Sequence, residues 1–123
     1  MNLIEAAKKY QHGLTILKDW LGADGVAVDN ATAQGRADVC LVCPENVSGF
    51  MLTETVAEAI KAHIALKNNI GLRVVGEKSL HTCEVCHCAN RLQIHCPPAY
   101  LYKYTTPEET EKYPVHCWKR KGL

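Results

Sequence analysis

Residues 81–96, "HTCEVCHCANRLQIHC", hold four of the chain's seven cysteines and three of its six histidines. Thiols and imidazoles at this density can form a disulfide staple, a reactive thiol centre or a metal site. Two Cys-x-x-Cys pairs stand out, Cys40/Cys43 and Cys83/Cys86. A two-residue gap lets both thiolates converge on one ion while the intervening amides point at the sulfurs, and two such knuckles complete a tetrahedron. The 39 residues between the pairs exceed zinc-ribbon spacing, so their meeting depends on the fold returning the chain. Cys88 and Cys117 remain. With a histidine, His95 or His116, they can form a second site, or a binuclear cluster with bridging thiolates; otherwise they are small buried hydrophobes. Cys96 falls on an apolar face with Leu92 and Ile94 and reads as core. His95, with Arg91 and Gln93 on the opposite face, reads as surface. His63 reads as a core or boundary histidine. His87 follows Cys86 where many knuckles carry Gly for its positive φ, so it either accepts that strain or the turn is of another kind.

Thiolate-rich donor sets suit zinc, as one or two ions, or an iron–sulfur cluster. Separated knuckles favour zinc, while Cys43-Pro44 and the Cys83/Cys86/Cys88 spacing keep the cluster open as the lesser alternative. Four thiolates close the coordination shell, leaving no open position for hydrolysis, although Glu77 and Glu84 are near in sequence. No Ser/His/Asp set, phosphate-gripping glycine loop or carboxylate dyad accompanies them, and no enzyme is expected. Cys40-Leu41-Val42-Cys43-Pro44 could serve as a redox dithiol, but such pairs open a helix with the first thiol exposed. Here the pair follows a helical segment.

Composition sets the frame. The chain is 47 % apolar, which excludes a disordered polymer, but one Phe and two Trp make a thin aromatic core that a cross-link would help. The start lacks the basic-then-apolar pattern of a signal peptide, and no apolar run approaches the roughly 18 residues of a membrane span. A cytoplasmic setting is therefore expected, where clustered cysteines hold metal more often than they form disulfides. Residues 1–62 carry five Lys/Arg against eight Asp/Glu, and residues 63–123 nine against five. A divalent ion held by four thiolates adds a net −2, so little positive charge is left for phosphate binding. Nucleic acid stays a minor alternative resting on Arg91, Lys119, Arg120 and Lys121.

The elements that must position these residues follow from periodicity. Leu3, Ala7, Tyr10, Leu14, Leu17 and Leu21 define an amphipathic helix over 2–21, with Ile4 and Trp20 broadening its stripe. A second helix over 31–39, capped by Asn30, delivers Cys40, and a loop follows over 46–50. Thr55 to Glu58 form a capping box for a third helix ending near Asn68-Asn69. Residues 72–75 read as a strand, and the alternation over 90–96 as a half-buried strand stopped by Pro97-Pro98. Thr106-Pro107 opens a last short helix. The expected fold is a single metal-stabilised α+β domain over 1–123: a mainly helical part, 1–72, and a cysteine-rich part, 73–123, with a zinc knuckle and short β elements.

"WLGADGVAVD", "RADVCLVCPEN", "CEVCHC" with Leu92, Ile94 and Pro97, and "YPVHCW" are together similar to a pattern in short cysteine-rich proteins of bacteriophages and prophages. The positions matching that family's cysteine pattern are Cys40, Cys43, Cys83, Cys86, Cys88 and Cys117, while Cys96 stands where the family carries an apolar residue and His87 where it carries Gly. The resemblance implies a phage or prophage setting and, by six recurring cysteines, more than one metal ion; it supplies no activity. The expected function is a zinc-binding structural or adaptor module acting on a protein partner.

Overall fold

The computed structural model describes residues 11, 15–22, 26–48, 51–68, 71–103 and 105–120. They form a small α+β fold in which six helices surround one two-stranded antiparallel sheet. Helix α1 (15–22) buries Ile16 and Trp20, and the Trp20 indole N–H donates to the Val26 carbonyl at 2.7 Å. Leu17 and Leu21, expected at the centre of the stripe, flank it half-buried. Its positions from Leu3 to Leu14 lie outside the described residues.

Helix α2 (Asn30–Leu41) starts one residue earlier than expected, capped by Asp29, whose carboxylate accepts the Thr32 N–H at 2.7 Å. Its inner face is Ala33, Arg36, Ala37 and Cys40, small apart from the arginine, so neighbouring backbone can approach closely. Helix α3 (Met51–Asn68) begins four residues ahead of Thr55, which is therefore an interior residue and not a cap. It buries Ala57, Lys61 and Ile64 at helical spacing, and Lys61 pairs with Glu77 and Glu58. His63, expected in the core or at its boundary, is exposed.

Strands β1 (Asn46–Val47) and β2 (Thr82–Cys83) pair antiparallel, Asn46 opposite Cys83 and Val47 opposite Thr82. Neither lies where a strand was expected. Residues 72–75 stay irregular because the Gln34 amide takes the place of a partner strand. Its Oε1 accepts the Val75 N–H at 2.8 Å and its Nε2 donates to the Val75 carbonyl at 3.3 Å. Residues 90–96 form helix α4 (Asn90–Gln93) and a tight turn instead of a strand. Leu92, Ile94 and Cys96 are buried as the alternation requires, but Gln93 and His95 are buried too, because the segment is covered on both sides. The Val28 N–H donates to the His95 carbonyl, and Arg36 donates to the carbonyls of Ile94 and Cys96 at 2.9 and 2.8 Å. Helices α5 (Pro98–Leu101) and α6 (Pro107–Lys112) follow, the latter capped by the Thr106 hydroxyl accepting the Glu109 N–H.

Helix α4 packs against both α2 and α3. The main core therefore draws Ile16, Trp20 and Ile64 from the helical part together with Leu80, Ile94 and Trp118 from the cysteine-rich part. Among the described residues no helix is long and apolar enough to cross a membrane.

Candidate metal centre

The β1–β2 pairing brings the two Cys-x-x-Cys segments together. Cys43 precedes β1 by three residues, Cys83 ends β2, and the register sets Asn46 directly opposite Cys83. The Cys43 carbonyl accepts the Asn46 N–H at 3.1 Å, and the Glu84 N–H crosses to the Glu45 carbonyl at 2.8 Å. Cys40 arrives from the last turn of α2. Cys117 comes from the turn after α6, where its N–H donates to the Pro114 carbonyl at 2.9 Å. Cys40, Cys43, Cys83 and Cys117 all line one cavity of about 20 Å³, enough for a single water-sized group. Cys83, Cys86, Cys88 and Cys117 pack with Tyr113 into a second buried cluster adjoining it. The four cysteines of the two pairs and the two that the resemblance adds, Cys88 and Cys117, therefore lie in one region. Cys96 sits apart in the main core, as its apolar register predicts.

The loop from Cys83 to Cys88 is a knuckle. The His87 N–H returns to the Cys83 carbonyl at 2.7 Å, and the Cys83 N–H donates to the Cys88 carbonyl at 3.0 Å. His87 has φ +59°, so it takes the left-handed conformation in which Gly is usual, and accepts its cost. The backbone N–H groups of Val85 and Cys86 point at the Cys83 sulfur, and that of Cys88 at the Cys86 sulfur. The N–H groups of Lys119 and Arg120 are aimed in the same way at the Cys117 sulfur. Amides directed at sulfur favour thiolate over thiol.

The sulfurs differ in their electrostatics. Burial pushes the Cys40 thiol up to about 12, although the Trp118 indole N–H donates to it at 3.3 Å. Cys86 is central: its interactions with the neighbouring Cys83 and Cys88 thiols, with the Lys119 ammonium close by, hold it well below the ordinary thiol value. Cys83 and Cys88 are correspondingly raised. The His116 Nε2 lies 3.2 Å from the Cys43 sulfur. His95 is fully buried elsewhere, its neighbouring charges Lys61 and Arg36, and among the described residues neither ring nitrogen has a hydrogen-bond partner. The expectation of a surface His95 is thus overturned.

No sequence pattern singles out the polar chain behind the sulfurs. Asn46 Oδ1 accepts from the His81 N–H at 2.7 Å and from Asn90 Nδ2 at 3.0 Å. Gln93 Nε2 donates to Asn90 Oδ1 at 2.6 Å, while Gln93 Oε1 accepts from Lys119 Nζ at 3.2 Å and lies 3.8 Å from the Cys86 sulfur. Of the basic residues considered for nucleic acid, Arg91, Lys119 and Arg120 are engaged in contacts within the fold. Lys119 is 3 % exposed, Arg120 donates to the carbonyls of Glu111 and Tyr113, and Arg91 pairs with Glu58 and donates to the Leu80 carbonyl. Lys121 lies outside the described residues.

Donor type, burial and amide direction fit a thiophilic ion. Among the described residues, however, no three His, Cys, Asp or Glu side chains converge tightly enough, as they stand, to hold one. The donor set is gathered and its coordination geometry is not formed. No protein-family model, curated protein or solved structure matches the chain.

Proposed function

We propose that this chain is a zinc-binding structural module that presents a surface to a protein partner, in a phage or prophage setting. Cys40, Cys43, Cys83, Cys86, Cys88 and Cys117 are its ligands. The observation that carries the reading is the gathering of thiols from three separated segments, with backbone amides aimed at the sulfurs of Cys83, Cys86 and Cys117. Amides so aimed favour the thiolate form that a metal ion takes. Bound zinc would neutralise the thiolates and tie α2, the sheet and the C-terminal turn together, so its binding energy would add to folding.

Two observations weigh against the dithiol alternative. The amino-terminal thiol, Cys40, is buried and raised, and it sits at the end of α2, where the helix dipole disfavours thiolate. Support for a protein partner comes from Val42 and Val115, 82 % and 78 % exposed. They adjoin Cys43 and His116, which touch, so apolar surface is concentrated beside the centre. With Lys119 buried and Arg91 and Arg120 engaged, the nucleic-acid alternative keeps little free positive charge.

The test is element-resolved native mass spectrometry of the full chain, purified under reducing conditions without chelator, alongside thermal unfolding with and without a zinc chelator. Bound zinc, and a large loss of thermal stability on chelation, are expected. A metal-free chain whose unfolding is insensitive to both zinc and chelator would refute the reading.

A further inference from the structure

We infer that an exposed stripe of Val75, Val42 and Val115, edged by the carboxylates of Asp38, Glu45 and Glu84, docks a protein segment whose apolar side chains are flanked by Lys or Arg. This rests on the protein-partner part of the reading above and deepens it by naming the partner's chemistry; it does not depend on bound metal.

The stripe comes first. Among the described residues five large apolar side chains are exposed, and three of them are Val42, Val75 and Val115, at 82 %, 80 % and 78 %. Printed contacts join these three. The Leu41 side chain lies against Gly76, which brings Val75 beside Val42. On the other side His116 meets the Cys43 sulfur at 3.2 Å, which brings Val115 beside Val42 as well. The remaining two, Val26 and Leu66, stand apart, ahead of α2 and on α3. Scattered single valines need no explanation, but three in a row at this exposure mark an interaction surface.

Charge says what covers it. Asp38 lies one turn before Val42 on the same face of α2, and the Gln34 amide that donates to its carboxylate at 3.0 Å also holds the Val75 backbone. Glu45 follows Cys43 by two residues, and its carbonyl accepts the Glu84 N–H at 2.8 Å. Glu45 also shares a cavity lining with Pro114, the residue before Val115. Asp38 and Glu84 are exposed, and among the described residues no Lys or Arg pairs with any of the three acids. Arg36, the basic residue of residues 34–48, is 3 % exposed and donates inward to the carbonyls of Ile94 and Cys96. Beyond Val115, Glu111 and Lys112 offset each other, and the exposed Arg73 and Lys78 belong to the Val75 end. The negative potential is therefore centred on Val42. A second copy docked through the same stripe would set these acids against one another, and a nucleic-acid backbone would meet the same repulsion. A basic protein segment meets neither.

The experiment titrates the full chain with three hexapeptides, alternating Leu with Lys, Leu with Glu, and Ser with Lys, and follows backbone amides by two-dimensional NMR. The Leu/Lys peptide should shift the amides of Val42, Cys43, Val75, Glu84 and Val115 saturably, binding at least about tenfold tighter than the other two. Its affinity should fall about fivefold or more in the triple variant Asp38→Asn, Glu45→Gln, Glu84→Gln, and likewise in Val42→Ser with Val115→Ser. Shifts confined to other surfaces, equal binding of the Leu/Glu peptide, or no saturable binding overturns the inference. So do shifts of these same amides with protein concentration alone, which would identify a second copy as the occupant. Zinc is counted on the same samples by native mass spectrometry. A zinc-loaded chain that fails the titration loses this inference and keeps the metal-binding reading, whereas a metal-free chain that passes keeps the docking face alone.

Discussion

The charge on the sulfurs can be tested through Lys119, because replacing it by Met has opposite effects in the two protonation states. The ammonium is 3 % exposed, 3.2 Å from Gln93 Oε1 and 5.0 Å from the Tyr113 ring centre, and among the described residues no carboxylate pairs with it. Burial pulls its pKa down, yet the sulfurs of Cys86 and Cys88 and the Tyr113 hydroxyl hold it well above the ordinary lysine value. If those sulfurs are anionic in the native protein, Lys119→Met leaves buried negative charge uncompensated, at a cost of about 3–5 kcal/mol. For a domain of this size that lowers Tm by about 10–20 °C, and it should weaken zinc binding by about 10–100-fold. If the sulfurs are neutral thiols, the lysine is an unpaired buried cation, and Met, of similar volume, should stabilise the fold by about 1–4 kcal/mol. Thermal unfolding in saturating zinc, paired with zinc competition by a chromogenic chelator, reads both quantities. Lys103→Met, which breaks the exposed Lys103–Asp19 pair, serves as the control and should stay within about 0.5 kcal/mol. A raised Tm together with unchanged zinc affinity for Lys119→Met would refute the thiolate argument.

Three further outcomes are expected. Gly35, exposed in the interior of α2 with open space where a Cβ would stand, should accept Ala with a gain of about 0.5–1 kcal/mol. Gly76, at φ +83° and with the Leu41 Cδ1 atom 2.7 Å from the Cβ position, should lose about 1–3 kcal/mol on the same change; equal shifts in denaturant midpoint for the two variants would contradict this. Burial, with Lys61 and Arg36 nearby, lowers His95 to about 4 from 6.5, so the folded chain binds fewer protons between those values. The contribution is present above pH 6.5 and lost as pH falls toward 4, about 3 kcal/mol in all; His95→Leu should flatten that part of the pH–stability profile, and a profile parallel to the wild type would exclude it. Cys96→Ala should cost about 1 kcal/mol through lost packing while leaving zinc stoichiometry intact, and loss of an ion would show that Cys96 belongs to the centre.

Local chemistry was legible in the sequence where it is local in space. The Thr106 cap, the helix holding Cys40, the end of α3 and the special backbone at His87 all follow from nearest-neighbour rules. The register of Cys96 was also readable, because its burial holds whether residues 90–96 are strand or turn. The element type there was not: alternation assumes one wet face, and here Val28 and Arg36 cover the other, so Gln93 and His95 are enclosed as well. The sheet was hidden for a related reason. Two-residue strands carry no periodicity, and only the pairing of Asn46 with Cys83, across 37 positions, defines them. Lys119 was counted among the basic residues open to nucleic acid because charge runs usually face water. Its burial depends in part on Gln93, 26 positions away, which no local window around residue 119 contains. The spacing of the thiols thus named Cys40, Cys43, Cys83 and Cys86, and the polar chain from Asn46 through Asn90 to Gln93 became visible only in three dimensions.

The donors come from one helix end, one knuckle and one C-terminal turn, and this sets how an ion would leave. Fraying of any one segment still leaves thiolates of the others in place, so escape requires these remote parts to separate together. Ion loss would then be paced by cooperative opening of the fold, and its rate would level off as competing chelator is raised. Exchange of labelled zinc would become a clock for that opening, and a partner bound beside Val42 and Val115 could slow it without touching a single sulfur.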